Sequence, residues 1–389
     1  MGNEFQSDFH RIALVLILAA IVWLFFSFFS VPMDYQGCSL CDKHQYTLLY
    51  ETFAQESTAQ IKYPFYQRPL VPWLMSAFPN VEIKTKYYWF NFSFYLLGLL
   101  TIYNLWRFLN FRDHEILIGL GWLVLHWTGI IRYNLMDYVT VDVPLYFFHA
   151  FTLILFFQKR YFWFYLLTPL AILTKESFIS VMLVLIIVSL LSFRSNKWLQ
   201  PSKHLILSLL LGVVVQQMVI TNLPIEDAGR SSIHEILYHI KLTFDEPFRL
   251  VRWFAALGSA FGVLPFFIFA NIKLTKSDRT KYCTLLILSS MFILFGLVAG
   301  GDMTRIIFLG FPFIMTLILM EMKNFKLLTL WPTVVLSIPA LWLYPFHANV
   351  NWAVDYAEPS YVWGWAIYFS VAYLILIVVT VLQKRIQAI

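Results

Sequence analysis

Charged residues are scarce in this chain. They make up 13% of its 389 residues, about half the ~25% of an ordinary soluble domain, so one water-exposed globular fold is excluded. Cysteine is scarcer still. Three residues cannot build a disulfide scaffold, and the pair Cys38 and Cys41 has no second Cys-x-x-Cys to complete a zinc site; a local disulfide suits it better. There is no Walker loop, no dinucleotide fingerprint and no G-x-S-x-G elbow, which leaves out the activities those motifs mark. His234 and His239 bracket HEILYH at a spacing of five, not the four that sets two zinc ligands on one helix face, so a metalloprotease is rejected. No small-residue cleavage site follows the first apolar run, Ile12 to Phe29, which therefore reads as a retained signal anchor.

What is abundant is apolar sequence. The chain is 60% hydrophobic with a mean hydropathy of +0.69, and its apolar residues come in runs of about 16 to 22, the length that crosses a hydrocarbon core of roughly 30 Å. The expectation is an all-α, polytopic transmembrane helical bundle of about 12 spans, a single integral membrane domain over 1–389. The spans run roughly 11–31, 88–106, 115–131, 141–157, 161–174, 177–193, 204–221, 251–270, 281–300, 305–322, 327–344 and 361–382. Fourteen Trp and 21 Tyr suit interfacial belts and the walls of lipid or sugar sites.

The net charge of +6 follows topology and is no sign of a nucleic-acid partner. With both termini in the cytoplasm, each cytoplasmic connector carries at least two basic residues. That side then holds 16 Lys/Arg against 6 Asp/Glu, and the exterior side 12 against 16, as the positive-inside rule requires. A bacterial inner membrane with an exterior active face fits this pattern. The exterior connectors are also the long, polar ones, and loops on a rigid scaffold carry function.

The longest of them is the first exterior loop, 32–86, which holds Asp34, Asp42 and Arg68. Within it Tyr46, Leu49, Tyr50 and Phe53 fall at i, i+3, i+4 and i+7, so His44 to Phe53 predicts a short helix lying on the membrane surface. Pro64, Pro69 and Pro72 are expected to break regular structure after it, with Trp73, Leu74 and Met75 re-entering the bilayer edge. Charges at apolar boundaries are costly and therefore informative. Asp142 opens a span in MDYVTVDVPLYF. Lys175 and Glu176 interrupt two short spans, either as a polar hairpin tip in water or as a tip sunk below the surface, where the lysine would pair with a carboxylate or phosphate. Asp302 reads as an N-cap, whereas Arg305, one turn into the span, suits a phosphate clamp. Arg132, Asp137, Arg249 and Arg252 read as rim charges.

These pieces resemble the GT-C superfamily of polytopic membrane glycosyltransferases, and most of all a bacterial group within it. Asp42 followed four residues on by Tyr46 is similar to the Asp and Tyr of that group's first exterior loop, and Arg68-Pro69-Leu70-Val71-Pro72 to its R-x-x-x-P segment. Asp142, Thr174-Lys175-Glu176, Gly301-Asp302 through Arg305, and Phe311-Pro312 match later pieces in the same order. The resemblance implies a polyprenyl-phosphate-linked sugar donor, a glycan, lipid or protein acceptor, and membrane lipids as surroundings. It also implies direct displacement at the anomeric carbon with a carboxylate as general base. Asp42 and Asp34 both remain candidates for that base, because superfamily members often carry an acidic residue close to the end of the first span. Arg68, Lys175 and Arg305 would stabilise the leaving phosphate, while Asp142, Glu176 and Asp302 complete the binding set. No cofactor is firmly implied, and a divalent metal is compatible with the chemistry. Rival readings are a transporter or flippase of lipid-linked sugars, a glycan polymerase or ligase, and a non-catalytic assembly subunit; the absence of a repeated half weighs against the transporter.

Overall fold

The computed structural model describes residues 2–30, 32, 42–78, 80–192, 199–226, 231–270, 279–342, 354–355 and 357–388. Asp34, Cys38 and Cys41 lie outside them. Eighteen α-helices appear among the described residues, and no strand. In chain order they begin with α1 (Gly2–Phe29), α2 (Asp42–Phe53), α3 (Leu70–Ser76), α4 (Ile83–Phe108), α5 (Asp113–Leu125) and α6 (Arg132–Met136). Then come α7 (Val143–Phe157), α8 (Phe164–Thr174), α9 (Phe178–Ser192), α10 (Leu199–Ile220), α11 (Ser232–Asp245) and α12 (Phe248–Phe261). The last are α13 (Phe266–Ala270), α14 (Arg279–Val298), α15 (Met303–Leu309), α16 (Phe311–Met322), α17 (Leu327–Ser337) and α18 (Pro359–Ala388).

Helix occupies most of each predicted span, but among the described residues only four segments are single helices long and apolar enough to cross a membrane: His10–Phe29, Pro201–Ile220, Arg279–Val298 and Pro359–Gln383. The pair α15 and α16 adds a fifth if its 68° bend is counted within one span. The bend falls at Gly310 and Pro312, where a proline at the start of α16 has no N–H to continue the ladder. The expected span 251–270 is likewise two helices. Gly262 ends α12 at a positive φ of 59°, a conformation in which a side chain is strained, and Pro265 follows before α13. Several other helices hold 11 to 15 residues, about 16–23 Å at 1.5 Å per residue. The 26-residue α4 is aromatic and amide-bearing through YYWFNFSFY rather than aliphatic.

The chain divides into two compact units, Met1–Asn110 with Ile130–Ser232, and Phe111–Gly129 with Ile233–Ile389. In the first, α4 packs along α7, α8 along α10, and α1 against α4. Trp23 of α1 stacks on Tyr95 at 5.3 Å, and the Tyr95 hydroxyl donates to the Ala19 carbonyl. In the second, α12 packs on α15 and α18, and α14 on α15 and α16. Its centre is an aromatic cluster in which His126 stacks on Phe308 (4.4 Å), and Phe308, Phe311 and Phe261 all contact one another. The His126 Nδ1 accepts from the Thr128 N–H, so Nε2 carries the proton and donates to the Ser259 carbonyl at 2.7 Å.

Two expectations about the first loop change. The helix α2 forms, but the face bearing Tyr46, Leu49 and Tyr50 is buried, Tyr46 and Tyr50 among Val71, Met75, Tyr87, Val139 and Val141. That face is covered by protein rather than turned to a membrane surface. Pro69 and Pro72, expected to break structure, instead open α3 as its N-cap and a first-turn residue. Backbone N–H groups there have no intrahelical partner in any case, so proline costs nothing. Trp73 stays exposed and Met75 is buried.

Candidate functional site

The first unit gathers Asp42, Arg68, Asp142, Lys175 and Glu176, together with Tyr46. Three ties hold the loop in place. The backbone of Ile61 pairs with Pro224 and Glu226 across a single parallel bridge to Ile225. The Lys62 N–H donates to Gln45 Oε1 on α2, and Gln216 of α10 donates to the Gln67 carbonyl at 2.9 Å. These fix the 3-10 turn Phe65–Gln67, and Arg68 emerges from its end.

Arg68 then meets Glu176 with its planar fork. Nε donates to Oε2 at 2.7 Å and Nη2 to Oε1 at 2.6 Å, while Nη1 donates to the Tyr46 hydroxyl at 3.1 Å. Burial works against both charges, but the partners outweigh it. Arg68 is held above the guanidinium range by Glu176 and Tyr46. Glu176 is held below the carboxylate range by Arg68, its hydrogen bonds and Lys175. Both are ionised at neutral pH.

One residue away, Lys175 Nζ donates to Asp142 Oδ1 at 2.7 Å, and both residues are buried. Their places explain the pairing. Asp142 is the N-cap of α7 and Lys175 the C-cap of α8, so each charge also opposes the partial charge of its own helix end. Asp142 does not cap α7 with its side chain; the carboxylate is turned to the lysine instead.

Tyr46 is the residue these groups share. Its ring sits edge-on to Phe65 at 5.1 Å and is fully buried. Burial pushes its hydroxyl above the ordinary phenol range; Arg68 opposes this, and the nearby charges of Asp42 and Asp142 add to it. The phenol is neutral. It accepts from Arg68, and its own proton has no acceptor among the described residues. Three further donors lie around the same aromatic cluster. Lys86 is buried at 6% exposure, and its Nζ donates to the Tyr50 hydroxyl at 2.7 Å. No carboxylate pairs with it among the described residues. The buried Tyr87 hydroxyl has no hydrogen-bond partner there either. Lys43 donates to the Tyr138 hydroxyl at 2.6 Å. The site is rich in donors relative to acceptors.

Asp302 and Arg305 belong to the second unit. Asp302 stands at the N-cap position of α15 but makes no cap bond; its Oδ2 accepts from Arg305 Nη1 at 3.3 Å. The cap comes from a residue that sequence reasoning missed. Both oxygens of Asp355 accept the Thr304 N–H at 3.1 Å, and Oδ1 also accepts the Thr304 hydroxyl at 3.0 Å. Burial, and then the charge of Asp302, push the Asp355 carboxyl up to about 7, against the opposing pull of Thr304 and Arg252. Among the described residues, no three His, Cys, Asp or Glu side chains converge as a metal-binding group.

The residues read as rim charges divide. Arg132 and Asp137 are buried, contrary to that reading. Arg132 lies over the Phe26 ring at 5.7 Å, and burial lowers its pKa to about 10. Arg249 donates to the Leu297 and Gly300 carbonyls at the C-terminal end of α14, and Arg252 to the Asp355 and Ala357 carbonyls. Both are fastened to backbone.

Tyr46 was legible in part, as the tyrosine four residues after Asp42, but its place in an aromatic stripe made it read as an apolar contact. Lys86 carried the signal of a cation one turn into an apolar helix. Asp355, in a polar connector, carried none.

No protein-family model matches this chain, and no curated protein or solved structure is significantly similar to it.

Proposed function

We propose that this protein is an integral membrane glycosyltransferase that moves a sugar from a polyprenyl-phosphate-linked donor to a glycan, lipid or protein acceptor at the exterior face. Twelve crossings, both termini in the cytoplasm and a bacterial inner membrane belong to the same reading, with the shorter helices crossing in company. The observation that carries it is the convergence on the Tyr46 hydroxyl of side chains from separate stretches: Arg68 directly, Asp42 and Asp142 through their fields, and Glu176 through Arg68. Those stretches are the pieces that resemble GT-C enzymes. The unused donors of Tyr46, Tyr87 and Lys86 suit a ligand made of oxygens, as a sugar phosphate is.

In this reading the acceptor oxygen forms a bond to the anomeric carbon as the bond from that carbon to the phosphate oxygen breaks. The acceptor proton passes to a carboxylate, Asp42 or Asp34, and polyprenyl phosphate leaves with its electron pair. Arg68 and Lys175 oppose the charge that develops on it. Both cations already hold carboxylates, so the phosphate would compete with Glu176 and Asp142 for them. Arg305 is a further cation, and Asp302 its partner.

The test is to incubate the purified protein with labelled polyprenyl-phosphate sugars and follow release of polyprenyl phosphate. Turnover that is lost in Asp42→Asn or Asp34→Asn, in protein that still folds and inserts, supports the reading. Full activity in both would remove the carboxylate base. No turnover with any donor, together with scrambling of the sugar lipid in liposomes, would replace the transferase with a flippase.

A further inference from the structure

The helix α11 leaves an apolar face uncovered by the rest of its unit, beside the exposed polar residues His234, Lys241 and Asp245. Ile233, Leu237, Ile240 and Phe244 recur at i, i+4, i+7 and i+11, one face of a 3.6-residue turn. That face is the exposed one: 71% for Ile233, 60% for Leu237, 38% for Ile240 and 81% for Phe244. Part of the polar side is turned inward. His239 Nδ1 accepts from Arg249 Nη2 at 2.9 Å, and the Thr243 hydroxyl donates back to the His239 carbonyl.

The height of α11 is fixed by its neighbours in the second unit. Only Glu246 and Pro247 separate it from α12. At the start of α12 the Phe248 ring lies 6.2 Å from that of Trp363, in the first turns of α18. The next residue, Arg249, donates to the carbonyls that close α14. Both α14 and α18 contain segments long and apolar enough to cross a membrane, and Tyr361, Trp363 and Trp365 cluster at this end of α18, as aromatic residues do where hydrocarbon meets water. Near the same ends, Leu294 of α14 and Ile367 of α18 are exposed, so the apolar stripe of α11 continues an outward apolar surface.

We propose that α11 lies in the headgroup–acyl boundary of the bilayer, with Ile233, Leu237, Ile240 and Phe244 in the acyl layer and the exposed His234, Lys241 and Asp245 toward water. The occupant of the exposed face is lipid, because hydrocarbon is what both neighbouring spans require at that level. This inference rests on the membrane reading and not on the transferase reading.

Spin labels test it. In proteoliposomes, nitroxides are placed singly by Ile233→Cys, Leu237→Cys, Ile240→Cys and Phe244→Cys, with Cys38, Cys41 and Cys283 replaced by serine. The ratio of oxygen to nickel-chelate collisions should be several-fold higher at these positions than at His234→Cys and Asp245→Cys. Ile367→Cys on α18 is the control. A low ratio at α11 with a high one at Ile367 overturns the proposal while the span stands; a low ratio at both overturns the membrane reading as well. If the serine background does not fold, p-benzoylphenylalanine in place of Phe244 in the otherwise unaltered chain serves instead. Adducts of phospholipid mass support the proposal, and adducts to protein, or none, overturn it.

Discussion

Arg68 and Glu176 are 108 residues apart in the chain and meet through two nearly parallel hydrogen bonds, at 2.7 and 2.6 Å. Neither is more than 18% exposed at its side chain, so each is the main reason the other can be charged there. Removing one partner leaves the other buried and uncompensated, which costs about 3–5 kcal/mol, whereas removing both costs less than the sum. Arg68→Ala and Glu176→Ala should each lower stability in detergent by about 3 kcal/mol, and the double variant should recover part of the loss. The coupling also has a sign in pH. Because Glu176 titrates lower when folded than unfolded, its contribution is present above the ordinary carboxylate range and is lost as the pH falls through its folded value. Unfolding curves for the four proteins at neutral and acidic pH check both points; a coupling that does not weaken in acid argues against the ionised pair.

Tyr46→Phe keeps the buried ring and deletes only the hydroxyl that Arg68 reaches. Its expected cost in stability is about 1 kcal/mol, so the protein should fold. In the transferase assay the same change should cut turnover by about 10–100-fold, the worth of a hydrogen bond or two to a developing charge. Turnover equal to the unaltered protein would take the phenol out of the site.

Asp355 should make the second unit sensitive to pH in the opposite direction to Glu176. Its carboxyl is pushed up to about 7 in the fold, against about 4 for a free aspartate. A group raised in this way contributes stability that is fully present below its unfolded value and is lost as the pH rises through its folded one. Thermal stability should therefore fall between about pH 4 and pH 7 in the unaltered protein and fall less in Asp355→Asn. Parallel profiles for the two proteins would count against this assignment.

Gly262 permits a turn that a side chain would strain. Besides its positive φ, a Cβ added there would collide with the Ser337 Cβ. The Ser337 hydroxyl accepts from the Val263 N–H, so it cannot retreat without breaking that bond. Gly262→Ala should cost roughly 1–3 kcal/mol, seen as a lower unfolding temperature in detergent, with Ser337→Gly restoring part of it.

Much of the helical layout was legible in the sequence, because an apolar run and a 3.6-residue stripe are local properties. The stripe from Tyr46 to Phe53 predicted α2, and Asp142 and Lys175-Glu176 marked helix ends because a charge seldom interrupts apolar sequence without a partner. The breaks were not read: Gly262 before Pro265, and Gly310 before Pro312, are helix stops that an unbroken hydropathy run conceals. Length and apolarity together separate, among the described residues, the four single helices that suffice to cross a bilayer from the rest, and a hydropathy run read across a break overstates the length.

What the sequence determined by itself is where this chain forms helix and which few charges are costly enough to need a partner. Which partner each one takes was decided only by the tertiary structure. Glu176 could have faced water, Asp302 could have capped its own helix, and the Tyr46 ring could have lain on lipid. Burial and hydrogen bonding belong to the neighbours that a fold brings together. The 108 residues between Arg68 and Glu176 say nothing of their meeting until the loop is pinned to α10 and the turn after α8 is closed beneath it.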